Sequence, residues 1–100
     1  MTRGTTPTHT FNLPFDTYLI DKIKISYAQD GNVVLTKEKD DCVLQGNAVK
    51  VRLTQEETLK FNARYKVQIQ VRVLTTEDDS LASKIYERSM EDILEDGVLA

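Results

Sequence analysis

The chain has 100 residues, of which 13 are Lys or Arg and 16 are Asp or Glu, giving a formal net charge of -3. This length predicts one domain with a single core and leaves little room for an elaborate buried active site. The hydrophobic fraction of 40% and the charged fraction of 29% are typical of a folded protein and exclude wholesale disorder. The mild acidity gives no overall attraction to nucleic acid or to an anionic membrane.

The single cysteine, Cys42, and the single histidine, His9, exclude several chemistries. One cysteine allows no intrachain disulfide, and a zinc site needs about four ligands. A Cys–His nucleophile pair would require the two side chains to meet in the fold, so we interpret Cys42 as a small apolar residue. Residues 1–8 contain no apolar run typical of a signal peptide, and no segment approaches the roughly 20 apolar residues that span a bilayer. We therefore expect a cytoplasmic protein that does not enter the membrane.

The amino-terminal part predicts a flexible arm followed by a short strand. Residues 1–8 are rich in threonine and offer nothing that can anchor a core. Beyond them, apolar and polar residues alternate up to Pro14, which cannot donate to a β-ladder. The apolar positions of this first strand are Phe11, Leu13 and Phe15.

Two β-hairpins are predicted next. Asp30-Gly31 and Gly46-Asn47 each lie between two apolar alternating segments, and such dipeptides favour the tight turns of hairpins because they tolerate positive φ angles. The four strands are predicted at 22–27, 33–36, 42–45 and 48–53.

A short helical turn is predicted at 54–61, between strands five and six. Thr54 can cap this turn, and Glu57 can reach back to the Thr54 N–H. The sixth strand has the clearest alternation, and its apolar face consists of Val67, Ile69, Val71 and Val73. The last strand is predicted at about 81–90, with Ala82, Tyr86 and Met90 pointing inward.

These elements predict an all-β fold. It is an immunoglobulin-like antiparallel β-sandwich of about seven strands with one short helical turn between strands five and six. The likeness is one of architecture, because the Cys–Trp–Cys core of antibody domains is absent, and a small barrel would also satisfy the pattern. We divide the chain into a flexible arm at 1–8, a single sandwich domain at 9–94 and a tail at 95–100.

No catalytic motif is present in the sequence. The four glycines form no Gly-x-Ser-x-Gly elbow, no P-loop and no Gly-x-Gly-x-x-Gly. The acidic loop at 77–80 lacks the ligand spacing of a calcium loop. We therefore predict no enzyme activity, no cofactor and no metal.

Basic side chains form one candidate surface for partners. Lys50 and Arg52 on strand five and Arg72 on strand six point outward, and they would make one basic face if their strands shared or adjoined a sheet. Proteins that bind single-stranded nucleic acid combine such a face with exposed aromatic residues. Only Tyr65 lies beside this face, so we expect protein partners and no nucleic acid.

The carboxy-terminal tail forms the second candidate surface. Residues 31–76 carry eight positive and five negative charges, whereas residues 77–100 carry two positive and eight negative charges. An acidic tail and a basic face are complementary, which favours self-association or docking of the tail on its own domain. The apolar residues of the tail would make this contact: Ile93, Leu94, Val98 and Leu99.

Five segments carry a likeness to known proteins: Met1–Thr10, Ile25–Gln29, Leu53–Leu59, Val71–Leu74 and Ile93–Leu99. They resemble a family of small, functionally uncharacterised prophage-encoded proteins of Gram-positive bacteria. The resemblance spans nearly the whole chain, and it implies a phage-genome origin, a bacterial host and a place among virion structural or tail genes. It implies no catalytic or ligand-binding residues.

The sequence thus predicts a non-enzymatic interaction or structural module. Its partners would be other protein chains, either itself as a homo-oligomer or phage structural proteins of the tail, the baseplate or the head–tail connection. Binding of a carbohydrate or another ligand by the β-sandwich is the alternative, with Tyr18, Tyr65 and Tyr86 as the available phenols.

Overall fold

Alternation of apolar and polar residues produces eight β-strands in the computed structural model, which describes all 100 residues. The strands are β1 (Thr8–Asn12), β2 (Ile20–Gln29), β3 (Asn32–Glu38), β4 (Cys42–Gln45), β5 (Ala48–Arg52), β6 (Val67–Thr75), β7 (Ser80–Ala82) and β8 (Tyr86–Arg88). A short α-helix, α1 (Gln55–Leu59), joins β5 to β6, and two 3-10 turns lie at Thr17–Leu19 and Lys39–Asp41. None of these helices has the length and apolar character needed to span a bilayer.

The strands form two antiparallel sheets that pack as a sandwich. One sheet has the order β1-β5-β4, and the other has the order β3-β2-β6, with β7 and β8 both paired to the free side of β6. No strand of one sheet pairs with a strand of the other, so the fold is a sandwich and not a small barrel. The predicted all-β sandwich is therefore confirmed.

The likeness to immunoglobulin domains lies in the architecture. In those domains the second strand pairs with the fifth. Here β2 lies between β3 and β6 in the larger sheet. Because β2 belongs to the larger sheet, the smaller sheet has only three strands, and β1 lies at one of its edges.

The last predicted strand, 81–90, is interrupted. Ser83 lies between β7 and β8, where its N–H donates to the Val71 carbonyl at 2.8 Å and its Oγ accepts from the Val71 N–H at 3.0 Å. A side-chain oxygen thus occupies a ladder position that a backbone carbonyl would fill, and the strand splits into two three-residue pieces. Met90 is buried and Tyr86 is half-buried, but the prediction that Ala82 points inward is wrong, because Ala82 is exposed.

The turns and the helix form where the sequence predicts them. Asp30 and Gly31 both have positive φ, at 50° and 78°, in the hairpin between β2 and β3. Thr54 Oγ1 accepts from the Glu57 N–H at 3.1 Å, and the Glu57 carboxylate accepts from the Thr54 N–H at 2.8 Å. This capping box fixes the start of α1.

Alternate residues of β2, β5 and β6 build the core between the sheets. Their inward side chains are all nearly or fully buried, and Leu53, Phe61 and Met90 close the cluster. The strand residues of the core are Ile20, Ile23, Ile25, Tyr27, Val49, Val51, Val67, Ile69, Val71 and Val73.

Two polar contacts hold the connection that contains α1 against the larger sheet. Lys37 Nζ of β3 lies 2.6 Å from Glu57 Oε2, and both side chains are largely buried. The buried Gln29 side chain donates to the carbonyls of Asn62 and Tyr65 at 2.6 and 2.9 Å and accepts from the Asn62 N–H at 2.8 Å. The loop before β6 therefore has a fixed position.

Candidate functional site

An apolar groove opens along one side of the sandwich, between the β1 edge of the smaller sheet and the β7–β8 edge of the larger sheet. Its volume is about 330 Å³. We name it the edge groove. Its main apolar lining residues are Phe11, Leu13, Phe15, Val71, Val73, Leu81 and Tyr86.

The groove stays open because the strands beside it are short. β7 and β8 have three residues each, and the segment that separates them bonds to β6 through Ser83. The first strand was predicted to end at Pro14, but β1 ends at Asn12. Phe11 and Tyr86 approach across the gap with ring centroids 6.3 Å apart, and Leu81 remains 44% exposed. The aromatic pair closes the groove at one point and leaves it accessible beside Leu81.

Two basic residues lie at this side of the molecule: Lys84 lines the groove, and Arg88 lines an adjoining pocket along β1. Lys84 Nζ lies 5.3 Å and the Arg88 guanidinium 6.0 Å from the centre of the Tyr86 ring, so both cations flank this aromatic residue. No acidic residue lines the groove. The surface therefore combines apolar contact area with positive charge at its margin.

The outer edge of β1 presents unpaired backbone groups beside the groove. Leu53 N–H donates to the Pro7 carbonyl at 3.0 Å and Leu13 N–H donates to the Asn47 carbonyl at 2.8 Å, which continues the β1–β5 ladder at both ends. In an antiparallel ladder the backbone groups of alternate residues point to opposite sides. The N–H and C=O groups of Thr8, Thr10 and Asn12 consequently point away from β5, toward a side on which β1 has no neighbouring strand.

The carboxy-terminal tail packs its backbone on its own domain, near α1. The Gln55 side chain donates to the Leu99 carbonyl at 3.2 Å and accepts from the Leu99 N–H at 2.8 Å. Ile93 is half-buried and packs on Gly4. A Cβ atom added to Gly4 would lie 2.9 Å from Ile93 Cδ1. Leu94 is fully exposed, and Leu99 and Val98 are 86% and 49% exposed. Hydrogen bonds thus hold the backbone of the tail on its own domain. Of the four predicted contact residues, Leu94 and Leu99 are exposed, Val98 is half exposed and Ile93 is half-buried.

Arg3 fastens the tail to the rest of the chain. Its guanidinium donates to Asp92 at 2.6 Å, to Asp96 at 2.8 and 2.9 Å, and to the carbonyls of Phe61 and Leu59. The bonds to Asp96 and Asp92 raise the pKa of the guanidinium further above its usual range and hold the pKa of both carboxyl groups below theirs. The residues predicted as an arm, 1–8, thus include the anchor of the tail, which residue patterns did not reveal.

The predicted basic face does not form as one surface. Lys50 and Arg52 lie on the outer side of β5 in the smaller sheet, whereas Arg72 lies on the outer side of β6 in the larger sheet. The core separates these two outer faces, which corrects the expectation that the three side chains would meet. Arg72 instead lies directly opposite Lys24 of β2.

His9, Tyr27 and Cys42 bring polar groups between the sheets. His9 and Cys42 both pair with Val51, from opposite sides, yet they do not bond to each other. The Cys42 thiol donates to the Glu38 carbonyl at 3.3 Å, and burial together with the charge of Asp41 raises the pKa of this thiol. This arrangement does not activate Cys42 as a nucleophile.

The remaining candidate features do not come together. No group of three or more His, Cys, Asp or Glu side chains is arranged to hold a metal ion. Tyr18 and Tyr65 lie at opposite ends of β6, because Leu19 bonds to Thr76 whereas the Tyr65 carbonyl bonds to Gln29. Together with Tyr86 on β8, they form no shared aromatic platform for a sugar.

No protein-family model matches the chain, and no curated protein and no solved structure matches it either.

Proposed function

We propose that this protein is a non-enzymatic interaction module that binds another protein chain in the edge groove. The observation that carries the proposal is the coincidence of exposed apolar side chains with a free strand edge. Phe11 and Leu81 offer apolar area on the two sides of the groove, and each Å² removed from water contributes about 25 cal/mol. The free backbone groups of β1 lie beside them.

An extended segment of a partner is the chemistry that fits this site. A strand added to a sheet edge satisfies unpaired N–H and C=O groups, and its alternate side chains enter the neighbouring pocket. Thr8, Thr10 and Asn12 would supply the hydrogen bonds, and the apolar floor around Val71 and Val73 would receive the side chains. Lys84 in the groove and Arg88 in the adjoining pocket along β1 favour a partner with acidic residues.

We further propose that the setting is the assembly of a phage particle in a bacterial host. The resemblance of Met1–Thr10 and Leu53–Leu59 to prophage-encoded proteins supports this setting. Association is the work that a small structural component of a tail, a baseplate or a head–tail connection has to perform.

Site-specific photo-crosslinking tests the proposed use of the groove. The photoreactive residue p-benzoylphenylalanine replaces Leu81 in the full chain, which is irradiated in its host cells. A matched control carries the same residue at Val43, which is 63% exposed and lies on the outer face of the smaller sheet. We expect discrete protein adducts from position 81 and none from position 43. Absence of adducts at position 81, or equal yields at both positions, would overturn the proposal.

A further inference from the structure

We propose that the segment bound in the edge groove is the carboxy-terminal tail of a second copy of this chain. This inference rests on the proposed function, because it names the partner of the same groove. It commits to residues 94–99 as the bound segment.

The uncovered apolar residues of the tail support this choice. Leu94 and Leu99 are among the most exposed large apolar side chains of the molecule, and Val98 is half exposed. The hydrogen bonds of the tail to its own domain come from Asp92 and Asp96, which bind Arg3, and from the Leu99 backbone, which binds Gln55; its apolar contact there is made by Ile93 beside Gly4. These contacts leave the leucines uncovered. A tail that exchanges these contacts for the groove of a second chain therefore buries apolar area that its own domain does not cover.

The charges of the two surfaces are complementary. Residues 91–100 contain four acidic residues and no basic residue. Lys84 lines the groove, Arg88 lies against Tyr86 in the adjoining pocket along β1, and no acidic residue lines either of them. Within residues 94–99, Glu95 and Asp96 lie between the apolar residues, so the segment matches an apolar groove with cations at its margin.

The position of the tail shows why a second copy is needed. Leu99 is tied to Gln55 in α1, which follows the end of β5 that pairs with Thr8 at the start of β1. The edge groove lies at the other end of β1, around Phe11–Phe15. A tail bound at α1 therefore does not lie in the groove of its own chain, and the groove is free to receive the tail of a neighbour.

Such a contact joins two different surfaces, one from each copy. Interfaces of this kind are heterologous and link copies head to tail. One variant can therefore lose the groove surface and another can lose the tail surface. When the two variants are mixed, the tail of the first should bind the groove of the second. Leu81→Glu removes the apolar groove surface at a part-exposed position, and the double variant Leu94→Asp/Leu99→Asp removes the apolar surface of the tail at exposed positions.

Sedimentation velocity on the full-length chain tests the inference. We expect the wild type to sediment above the 11.4 kDa monomer mass as its concentration rises, and each variant alone to remain monomeric. An equimolar mixture should form a 1:1 complex, because one variant keeps its groove and the other keeps its tail. A mixture that remains monomeric, or a wild type that is monomeric at every concentration, overturns the inference.

Two further outcomes separate this inference from the proposed function. If the tail variant still associates and the groove variant does not, another segment occupies the groove, so the inference fails and the proposed function stands. If Leu81 crosslinks only to a different protein, the same conclusion follows. Absence of both self-association and crosslinks at position 81 overturns both proposals. Should circular dichroism show that Leu81→Glu is unfolded, Lys84→Glu in the groove replaces it and is expected to weaken association at low salt.

Discussion

His9 Nδ1 and the Tyr27 hydroxyl share a hydrogen bond of 2.7 Å that joins β1 of the smaller sheet to β2 of the larger sheet. Tyr27 is fully buried, and its ring also packs edge-on against Phe61. Two sheets that otherwise meet through apolar side chains are thus held in one relative position by a directional contact.

Replacing Tyr27 with Phe should lower the free energy of unfolding by about 1.5 kcal/mol, because it removes this bond and leaves a half-buried imidazole nitrogen without its partner. Urea denaturation followed by circular dichroism measures the change. Tyr18→Phe is the control, since Tyr18 is 76% exposed and its substitution should change the free energy by less than about 0.5 kcal/mol. Equal effects of the two substitutions would contradict the structural role of the His9–Tyr27 bond.

The imidazole of His9 should make stability depend on pH near neutrality. Burial lowers the pKa of His9, and the nearby charge of Arg88 acts in the same direction. In the unfolded chain the group binds its proton at about pH 6.5, whereas in the folded chain it does so only at lower pH. The unfolded state thus binds more protons in this window, and the free energy of unfolding falls as the pH decreases through about 6.5.

Urea denaturation at about pH 7.5 and about pH 5.5 measures this decline. His9 is the only histidine, so His9→Gln should remove most of the difference between the two conditions. Because the pKa values of Asp92 and Asp96 are lowered, the free energy of unfolding also decreases when these carboxylates are protonated. This second decrease occurs only as the pH falls below about 4. A decline near neutrality that persists in His9→Gln would contradict the assignment.

The Lys37–Glu57 ion pair should behave as a coupled unit. Burial alone would raise the pKa of Glu57, but the bonds from Lys37 and Thr54 outweigh this effect and lower the pKa. Lys37→Met leaves a largely buried carboxylate without its cation and should cost about 2 kcal/mol of stability. Adding Glu57→Gln should recover part of this loss, because the amide still caps α1 and carries no charge. Additive effects in the urea-denaturation cycle would show that the pair is not coupled.

The sequence was sufficient for the strands and turns because their patterns are local. Alternation over β2 and β6, the Asp30-Gly31 turn and the Thr54–Glu57 cap each lie within a few residues, and each forms as predicted. The sheet to which a strand belongs depends on distant partners. Lys50 and Arg72 were therefore expected on one face although β5 and β6 lie in different sheets.

The candidate site was harder to predict for the same reason. Phe11 has an ordinary inward-facing pattern, and Ala82 instead of Leu81 was predicted to face inward; only the short β7 leaves Phe11 and Leu81 without a covering strand. The tail residues were predicted as contact residues from their apolar character, and Leu94 and Leu99 are exposed. Their anchor was missed because Arg3 lies 93 positions from Asp96, and no spacing rule connects them.

The Gln29 side chain illustrates a polar contact that alternation alone conceals. It is buried at the end of β2 and makes three bonds to the backbone of residues 62–65. Gln29→Leu should lower the free energy of unfolding by about 2–3 kcal/mol, because it removes three part-buried hydrogen bonds together. Gln29→Glu should be at least as damaging, since its carboxylate would face the carbonyls of Asn62 and Tyr65. Thermal unfolding tests both variants, with Gln45→Leu at an exposed position as the control. An unchanged stability of Gln29→Leu would contradict the stabilising role of the Gln29 side chain.

Arg3 should control how readily the tail leaves its own domain. Arg3→Ala removes the bonds to Asp92 and Asp96 together, whereas Arg64→Ala is a matched control at an exposed arginine outside this network. We expect a protease that cuts after acidic residues to cleave the tail several-fold faster in Arg3→Ala than in the wild type, with cleavage within the sandwich unchanged. Salt at about 1 M should accelerate cleavage of the wild type in the same direction, because the two aspartates are mostly exposed.

The same substitution links the anchored tail to self-association. A tail held by Arg3 competes with a tail bound in the groove of a neighbour, and a substitution that weakens only the first contact shifts the population toward the second. Arg3→Ala should therefore associate at lower concentration than the wild type in sedimentation velocity, while Arg64→Ala should not. If the tail of Arg3→Ala is cleaved faster but this variant associates at the same concentration as the wild type, the tail does not supply the contact between copies.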